Sequence, residues 1–265
     1  MPVAAGILSV ASLFAQEQIH IQAPYRLIAH RGGVVEGKNM ENSIAALDEA
    51  IRRGYSGVEI DVRQSKDGVL YLYHNRTFAR DYDSDKSGSE MSWAEISALR
   101  PLKDGGKPPV RLEDYCRYAQ GKVNELMIDI KERRPSPDFY RKLEDVLKET
   151  GFMETSWFFG HGDYFRGKGK ISMFLSEKDS VFATYGDKTK DYYFLFAWTE
   201  HLTGQTLKWC KDNGIEIMAC ANLPFAGKPE ADNIPNAGRN IRWLKDWGIT
   251  VFQIDSEYDI FFREK

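Results

Sequence analysis

No dense block of Lys or Arg occurs in the 265-residue chain, whose formal net charge is −3. It therefore lacks the basic surface that neutralises a run of phosphates on DNA or RNA, and no nucleic-acid partner is expected. Nor does it hold an apolar stretch long enough to cross a bilayer as a permanent helix, so stable membrane insertion is not expected. The nearest approach is Val3 to Ala15, apolar or small throughout and followed abruptly by Gln16-Glu17-Gln18. That profile resembles a secretory h-region cut near Ala15. Against it, no Lys or Arg precedes the run and Leu13 is bulky for its place. The expectation is a leader over 1–22, a single folded domain over 23–265, and a secreted or periplasmic location, with a docked N-terminal helix as the alternative. Cysteine is scarce: Cys116, Cys210 and Cys220 are odd in number, widely separated and without metal-ligand spacing. They read as buried small hydrophobes. Low hydrophobicity is not among the deficits, since 42% hydrophobic residues suffice for a substantial core.

From Tyr25 onward, short β-branched or aromatic runs alternate with amphipathic helical patterns, the mark of βαβ units and a parallel sheet. Candidate strands are Arg26 to Ala29, Gly57 to Val62, Val69 to Tyr73, Leu126 to Ile130, Trp157 to Phe159, Ile171 to Leu175, Tyr193 to Ala197, Glu216 to Ala219 and Thr250 to Ile254. That is one more than a barrel of eight needs. Candidate helices are Ser43 to Arg53, Leu112 to Gln120, Asp138 to Glu149, Gln205 to Asn213 and Asn240 to Trp247, and Gly54, Gly151, Gly214 and Gly248 stand where left-handed stops belong. The repeated helix, glycine, strand punctuation favours one wound domain. Arg76 to Pro109 breaks the rhythm with Asp, Ser, Gly and Lys and only a short helical piece, Ser92 to Leu99. It reads as an insertion of the kind that walls a binding site.

In Val58-Glu59-Ile60-Asp61-Val62 two carboxylates alternate with β-branched residues, so Glu59 and Asp61 leave one face of the strand. Inside a barrel they would repel and lose water unless a cation or basic neighbours offset the cost. Ile128-Asp129-Ile130-Lys131 repeats the device. His30-Arg31-Gly32 ends the first strand and His74-Asn75 the third, which places both imidazoles at strand C-termini, where barrel active sites assemble. His161 could reach the same rim, whereas His20 and His201 have no supporting context.

In this ordered set the sequence resembles the glycerophosphodiester phosphodiesterases of the phosphatidylinositol-phospholipase-C-like barrel superfamily. The resemblance rests on Ala29-His30-Arg31-Gly32, Glu41-Asn42-Ser43, Gly57 to Val62, Lys66-Asp67-Gly68, His74-Asn75, Arg80, Pro109 to Leu112, and Ile128 to Lys131. It covers roughly residues 25 to 131 well and the rest loosely. It implies a TIM (β/α)8 barrel with a small insertion lobe after the third strand. It also implies one divalent cation on Glu59, Asp61 and Asp129, His30 and His74 as the acid/base pair, and Arg31 and Lys131 facing the phosphate. An all-oxygen ligand set suits Mg²⁺ or Ca²⁺ better than zinc. Departures from the family pattern are Asn75 in place of Asp, Asp129 in place of Glu, Cys220-Ala221-Asn222 near its Trp-Thr-x-Asn, and Ile254-Asp255-Ser256-Glu257 near its Thr-Asp-x-Pro.

Three functions follow from this reading. The first is metal-dependent hydrolysis of glycerophosphodiesters to an alcohol and glycerol 3-phosphate. The second keeps barrel and metal but takes a lysophospholipid, a sphingomyelin-like lipid or a teichoic-acid-type polymer, with Trp198, Phe225, Trp243 and Tyr258 as candidates for an acyl or choline site. The third is a barrel that binds a phosphorylated small molecule without turning it over. The oligomeric state is left open.

Overall fold

The computed structural model describes residues 20–223 and 230–263; the apolar run Val3 to Ala15, its expected cleavage and Phe225 lie outside them. Nine strands are present among the described residues: β1 (Arg26–Ala29), β2 (Gly57–Gln64), β3 (Leu70–Leu72), β4 (Glu125–Ile130), β5 (Ser156–Phe159), β6 (Lys170–Met173), β7 (Tyr193–Trp198), β8 (Ile217–Ala221) and β9 (Val251–Ile254). All but β3 are parallel, in the neighbour order β1-β9-β8-β7-β6-β5-β4-β2, and the pairing of Ile28 with Gly57 joins β1 to β2 and closes the sheet. The closed eight-stranded parallel sheet with helices outside it is a TIM barrel.

The surplus strand has a different role from the other eight. β3 pairs antiparallel with β2, Val62 opposite Leu72 and Gln64 opposite Leu70. Its connection to β2 is a tight turn in which Ser65 N–H donates to the Val69 carbonyl over 2.9 Å and Gly68 takes φ 83°. A parallel crossover needs a dozen residues or more, so so short a link permits only a hairpin. His74 is thus not at the C-terminal end of a barrel strand, as the sequence led us to expect. It is carried back along β2, and Tyr73 N–H donates to the Asp61 carbonyl over 3.0 Å.

The helices are α1 (Ile44–Arg53), α2 (Trp93–Ile96), α3 (Leu112–Ala119), α4 (Pro137–Glu149), α5 (Lys178–Tyr185), α6 (Thr189–Tyr192), α7 (Gly204–Asp212) and α8 (Glu230–Asp246). Ser43, Ser136 and Thr203 cap α1, α4 and α7 by accepting from the third backbone N–H beyond them. The four expected stop glycines all have positive φ. The pair α5 and α6 had no sequence signal, because α5 buries no residue fully and so shows no apolar stripe. α8 starts ten residues earlier than its apolar pattern, with Pro235 inside it.

Side-chain alternation sorts the sheet into two faces. Val58, Ile60, Val62, Ile128 and Ile130 point outward into the core beneath the helices. Ile28, Met127, Trp157, Phe194, Met218 and Val251 form an inner cluster. At the N-terminal end of the barrel Arg26 holds Glu125 and Glu216, and the Trp157 indole N–H donates to Glu125 over 2.7 Å. The insertion lobe packs around its own ring cluster, with Tyr73 stacked on Phe78 at 4.9 Å.

Candidate active site

The site begins with backbone conformations that few residues adopt. Past β1 the chain turns through Arg31 (φ 56°) and Gly32 (φ 77°), where a Cβ would stand 2.5 Å from the Asn42 Cα. Close passage of the two segments lets Asn42 N–H donate to the Arg31 carbonyl over 2.7 Å. Asn42, itself at φ 54° and buried, grips Asp61 twice: its Nδ2 donates to Asp61 Oδ2 over 2.7 Å and its Oδ1 accepts from Asp61 N–H over 3.1 Å. Glu59 Oε2 accepts from the Arg31 backbone N–H over 2.7 Å. Each acid of β2 is therefore fixed by one oxygen.

Register then brings in the third acid. Asp61 lies directly opposite Asp129 in the β2–β4 pairing. Glu59, Asp61 and Asp129 each offer an oxygen, and these oxygens lie within 4.8 Å of one another. Lys131 Nζ stands 2.6 Å from Asp129 Oδ2 and 3.0 Å from Asp61 Oδ1. Asp61 is wholly buried and Glu59 is 2% exposed. Burial, then the neighbouring charge of Asp61, pushes the Glu59 carboxyl up to about 8. Burial also raises Asp129, with Lys131 opposing it. For Asp61 burial acts in the same sense, yet Lys131, His74 and the Asn42 hydrogen bond outweigh it and hold the carboxyl below its ordinary range. The same acids raise Lys131 against its burial.

A hard divalent cation fits this set. Two oxygens bound to one Mg²⁺ or Ca²⁺ at 2.0–2.6 Å can stand no more than about 5 Å apart, a limit the three carboxylates meet. Asp61 Oδ1, buried and beside Lys131, accepts no well-formed hydrogen bond. Three acids share one ammonium, so a second positive charge would offset the burial and the repulsion that together raise the Glu59 carboxyl.

Both imidazoles face the same cavity of ≈ 410 Å³ as Glu59, Asp129 and Lys131. His30 Nδ1 lies 2.7 Å from Asp255 Oδ1, and the second Asp255 oxygen accepts from Leu223 N–H. Burial would lower the His30 pKa, but Asp255 reverses the effect and raises it. His74 Nδ1 is 3.0 Å from Asn75 Oδ1, and burial, assisted by Lys131 and opposed by Asp61, lowers its pKa. The Arg31 guanidinium pairs with Glu41, which also takes Arg80, on the wall of an adjoining cavity of ≈ 380 Å³ that shares His30.

Among the other residues singled out in the sequence, His161 is exposed and outside the cavity, its carbonyl accepting from Tyr140 Oη at 3.3 Å. His20 is exposed, whereas His201 does line the cavity, at the end of a one-turn helix after β7 that the sequence did not flag. Trp198 lines it too; Trp243 meets Trp247 edge-on at the outer surface and Tyr258 is buried in the core. Asn42 and Asp255 stood in the quoted motifs without a role, and the rings of Phe159, Phe174 and Phe196 were missed. Asp255 had a usable signal, since it directly follows the last barrel strand as His30 follows the first.

The model of the Glycerophosphoryl diester phosphodiesterase family matches residues 30–180, more than half of the chain. Glycerophosphodiester phosphodiesterase 1 of Rattus norvegicus is 35% identical over 74 residues, 28% of this chain and 22% of that protein. The chain thus spans about a fifth of the length of such curated relatives. Among solved structures, a glycerophosphodiester phosphodiesterase from Agrobacterium tumefaciens superposes with a TM-score of 0.67 at 21% identity, covering 90% of this chain and 98% of that one. A phosphodiesterase from Oleispira antarctica, solved in complex with the product sn-glycerol-3-phosphate, gives 0.63 at 18% identity over 88% and 93%. These structures share the barrel.

Proposed function

This chain belongs to the Glycerophosphoryl diester phosphodiesterase family, and from that premise we propose that it hydrolyses a glycerophosphodiester to an alcohol and glycerol 3-phosphate. The observation that carries the reading is the pair of imidazoles, biased towards opposite protonation states, on one cavity wall with three acids and Lys131. Glu59, Asp61 and Asp129 would hold Mg²⁺ or Ca²⁺, which when bound supplies positive charge to the phosphoryl oxygens. Lys131 adds its own, and Arg31 meets the phosphate from the adjoining cavity if Glu41 releases it. His74, its neutral form favoured by burial, takes the proton of the attacking water, or of a glycerol hydroxyl whose attack forms a cyclic phosphate that water then opens to glycerol 3-phosphate. His30, whose protonated form Asp255 favours, gives its Nε2 proton to the departing alkoxide. The Oleispira complex supports a small-molecule substrate. Export is proposed on the Val3 to Ala15 run alone, and the mass of the mature N-terminus in a native secretion host tests it.

A diester panel assayed with and without chelator tests the reaction. Glycerol 3-phosphate should appear from glycerophosphocholine, disappear with chelator and return with Mg²⁺ or Ca²⁺. Binding without cleavage under every divalent cation would favour the non-catalytic phosphate-binding barrel instead.

A further inference from the structure

The barrel mouth is divided into two halves of opposite character. Strands β1, β2 and β4 and the β3 hairpin deliver every carboxylate that lines the main cavity, together with Lys131, His30 and His74. The next three strands deliver rings: Phe159 ends β5, Phe174 directly follows β6, and Phe196 and Trp198 come from β7. Phe159 meets Phe174 edge-on at 5.3 Å and Phe196 at 4.9 Å, so three phenyl groups form one continuous wall. Leu175 and Trp198 extend it. Phe159, Phe174 and Trp198 are only half-buried, although the cavity they line is continuous with the charged half.

Apolar rings at a reaction centre cost free energy while they face water, and covering them recovers it. The catalytic reading gives them no task. We propose that this aromatic half receives a hydrocarbon group carried by one alcohol of the phosphodiester, so that the preferred substrate has an alkyl or acyl-bearing alcohol rather than a polyol or a quaternary ammonium. The inference rests on the phosphodiesterase reading of the charged half and names the substrate class for it. A cation would find ring faces here but no carboxylate, because the lining acids, Glu59 and Asp129, belong to the other half. A polyol would find the amides of Asn222 and Gln253, joined by a 3.1 Å hydrogen bond, and beside the rings only Ser176 and His201.

The test uses glycerol 3-phosphate diesters of methanol, butanol, hexanol and octanol, all water-soluble, alongside the choline ester and its neutral isostere, the 3,3-dimethylbutyl ester. Each methylene that enters the arm should raise kcat/KM up to roughly fourfold, and the isostere should match or exceed choline. A flat series, or a choline ester favoured tenfold over its isostere, overturns the proposal. Phe174→Ser and, separately, Phe159→Ser should flatten the chain-length slope; an unchanged slope in both folded variants places the hydrocarbon elsewhere and also overturns it. Calorimetric Kd values for methyl to octyl phosphate monoesters separate the two layers of inference. Chain-length-dependent binding without hydrolysis of any diester would remove the phosphodiesterase reading and keep the arm; hydrolysis with chain-length-independent Kd and kcat/KM would do the reverse.

Discussion

Two histidines with the same ordinary pKa are driven apart by their surroundings. Asp255 raises His30 from a distance of 2.7 Å, while burial lowers His74, whose Nδ1 lies 3.0 Å from the neutral Asn75 amide. Replacing either imidazole by Ala should reduce kcat on the order of 10²- to 10⁴-fold, measured as glycerol 3-phosphate release with the fold verified by circular dichroism. Asp255→Asn should act differently. His30 must be protonated to serve as the acid, and without the carboxylate its pKa falls. Activity should then decline at a lower pH on the basic side of the profile, with a loss on the order of 10²- to 10⁴-fold at the optimum, the upper end by analogy with a carboxylate-oriented histidine. A pH profile unchanged in shape would assign Asp255 to loop structure alone. The role of Asn42 was hidden from sequence reasoning because nothing in Glu41-Asn42-Ser43 announces a left-handed backbone that aims an amide at Asp61.

α1 illustrates how an element outside the site keeps the mouth in shape. Arg53 in its last turn binds Glu49 one turn back, Glu36 in the loop that follows His30, and the fully buried Asp259 after β9. It thereby ties together both ends of the chain segment that closes the barrel at β1. Glu49 accepts from Arg52 and Arg53, and those hydrogen bonds, working against partial burial, hold its carboxyl down at about 2. A carboxylate depressed on folding contributes stability that is present above its unfolded value near 4.5 and lost as pH falls through about 2. Glu49→Gln should cost about 1 kcal/mol or less at neutral pH and less at pH 2, so its urea-unfolding free energy should fall less steeply than that of the parent between those limits. An equal difference at both pH values would deny the linkage. The β2–β3 hairpin is the element the sequence misdirected: its hydrophobic alternation matches that of a barrel strand, and only the length of the connection reveals its direction.

For the whole molecule, the cluster of acids should make stability depend on a cation. With Glu59 pushed up to about 8, the folded state binds a proton that the unfolded state has released above about 4.5. Stability of the cation-free protein should therefore decline as pH rises through that interval. Saturating Mg²⁺ or Ca²⁺ replaces the proton, so the cation should stabilise more at pH 8.5 than at pH 6. At a free concentration near 100 Kd the gain is about 2.7 kcal/mol, or roughly 5–10 °C in Tm for a domain of this size. Asp61→Asn should abolish most of this shift in a calorimetric scan; a shift retained in full would place the ion elsewhere.

What the sequence determined by itself was everything that follows from local periodicity. The two-residue repeat of a strand decides that Glu59 with Asp61, and Asp129 with Lys131, share a face, and the helix, glycine, strand punctuation decides a wound α/β chain. Tertiary structure decided which face is the interior, that Asp61 stands opposite Asp129, that β3 runs backwards, and that Asp255, 225 residues away in sequence, reaches His30. Those outcomes depend on register and closure, which arise from packing eight strands against one another and have no signature within any one of them.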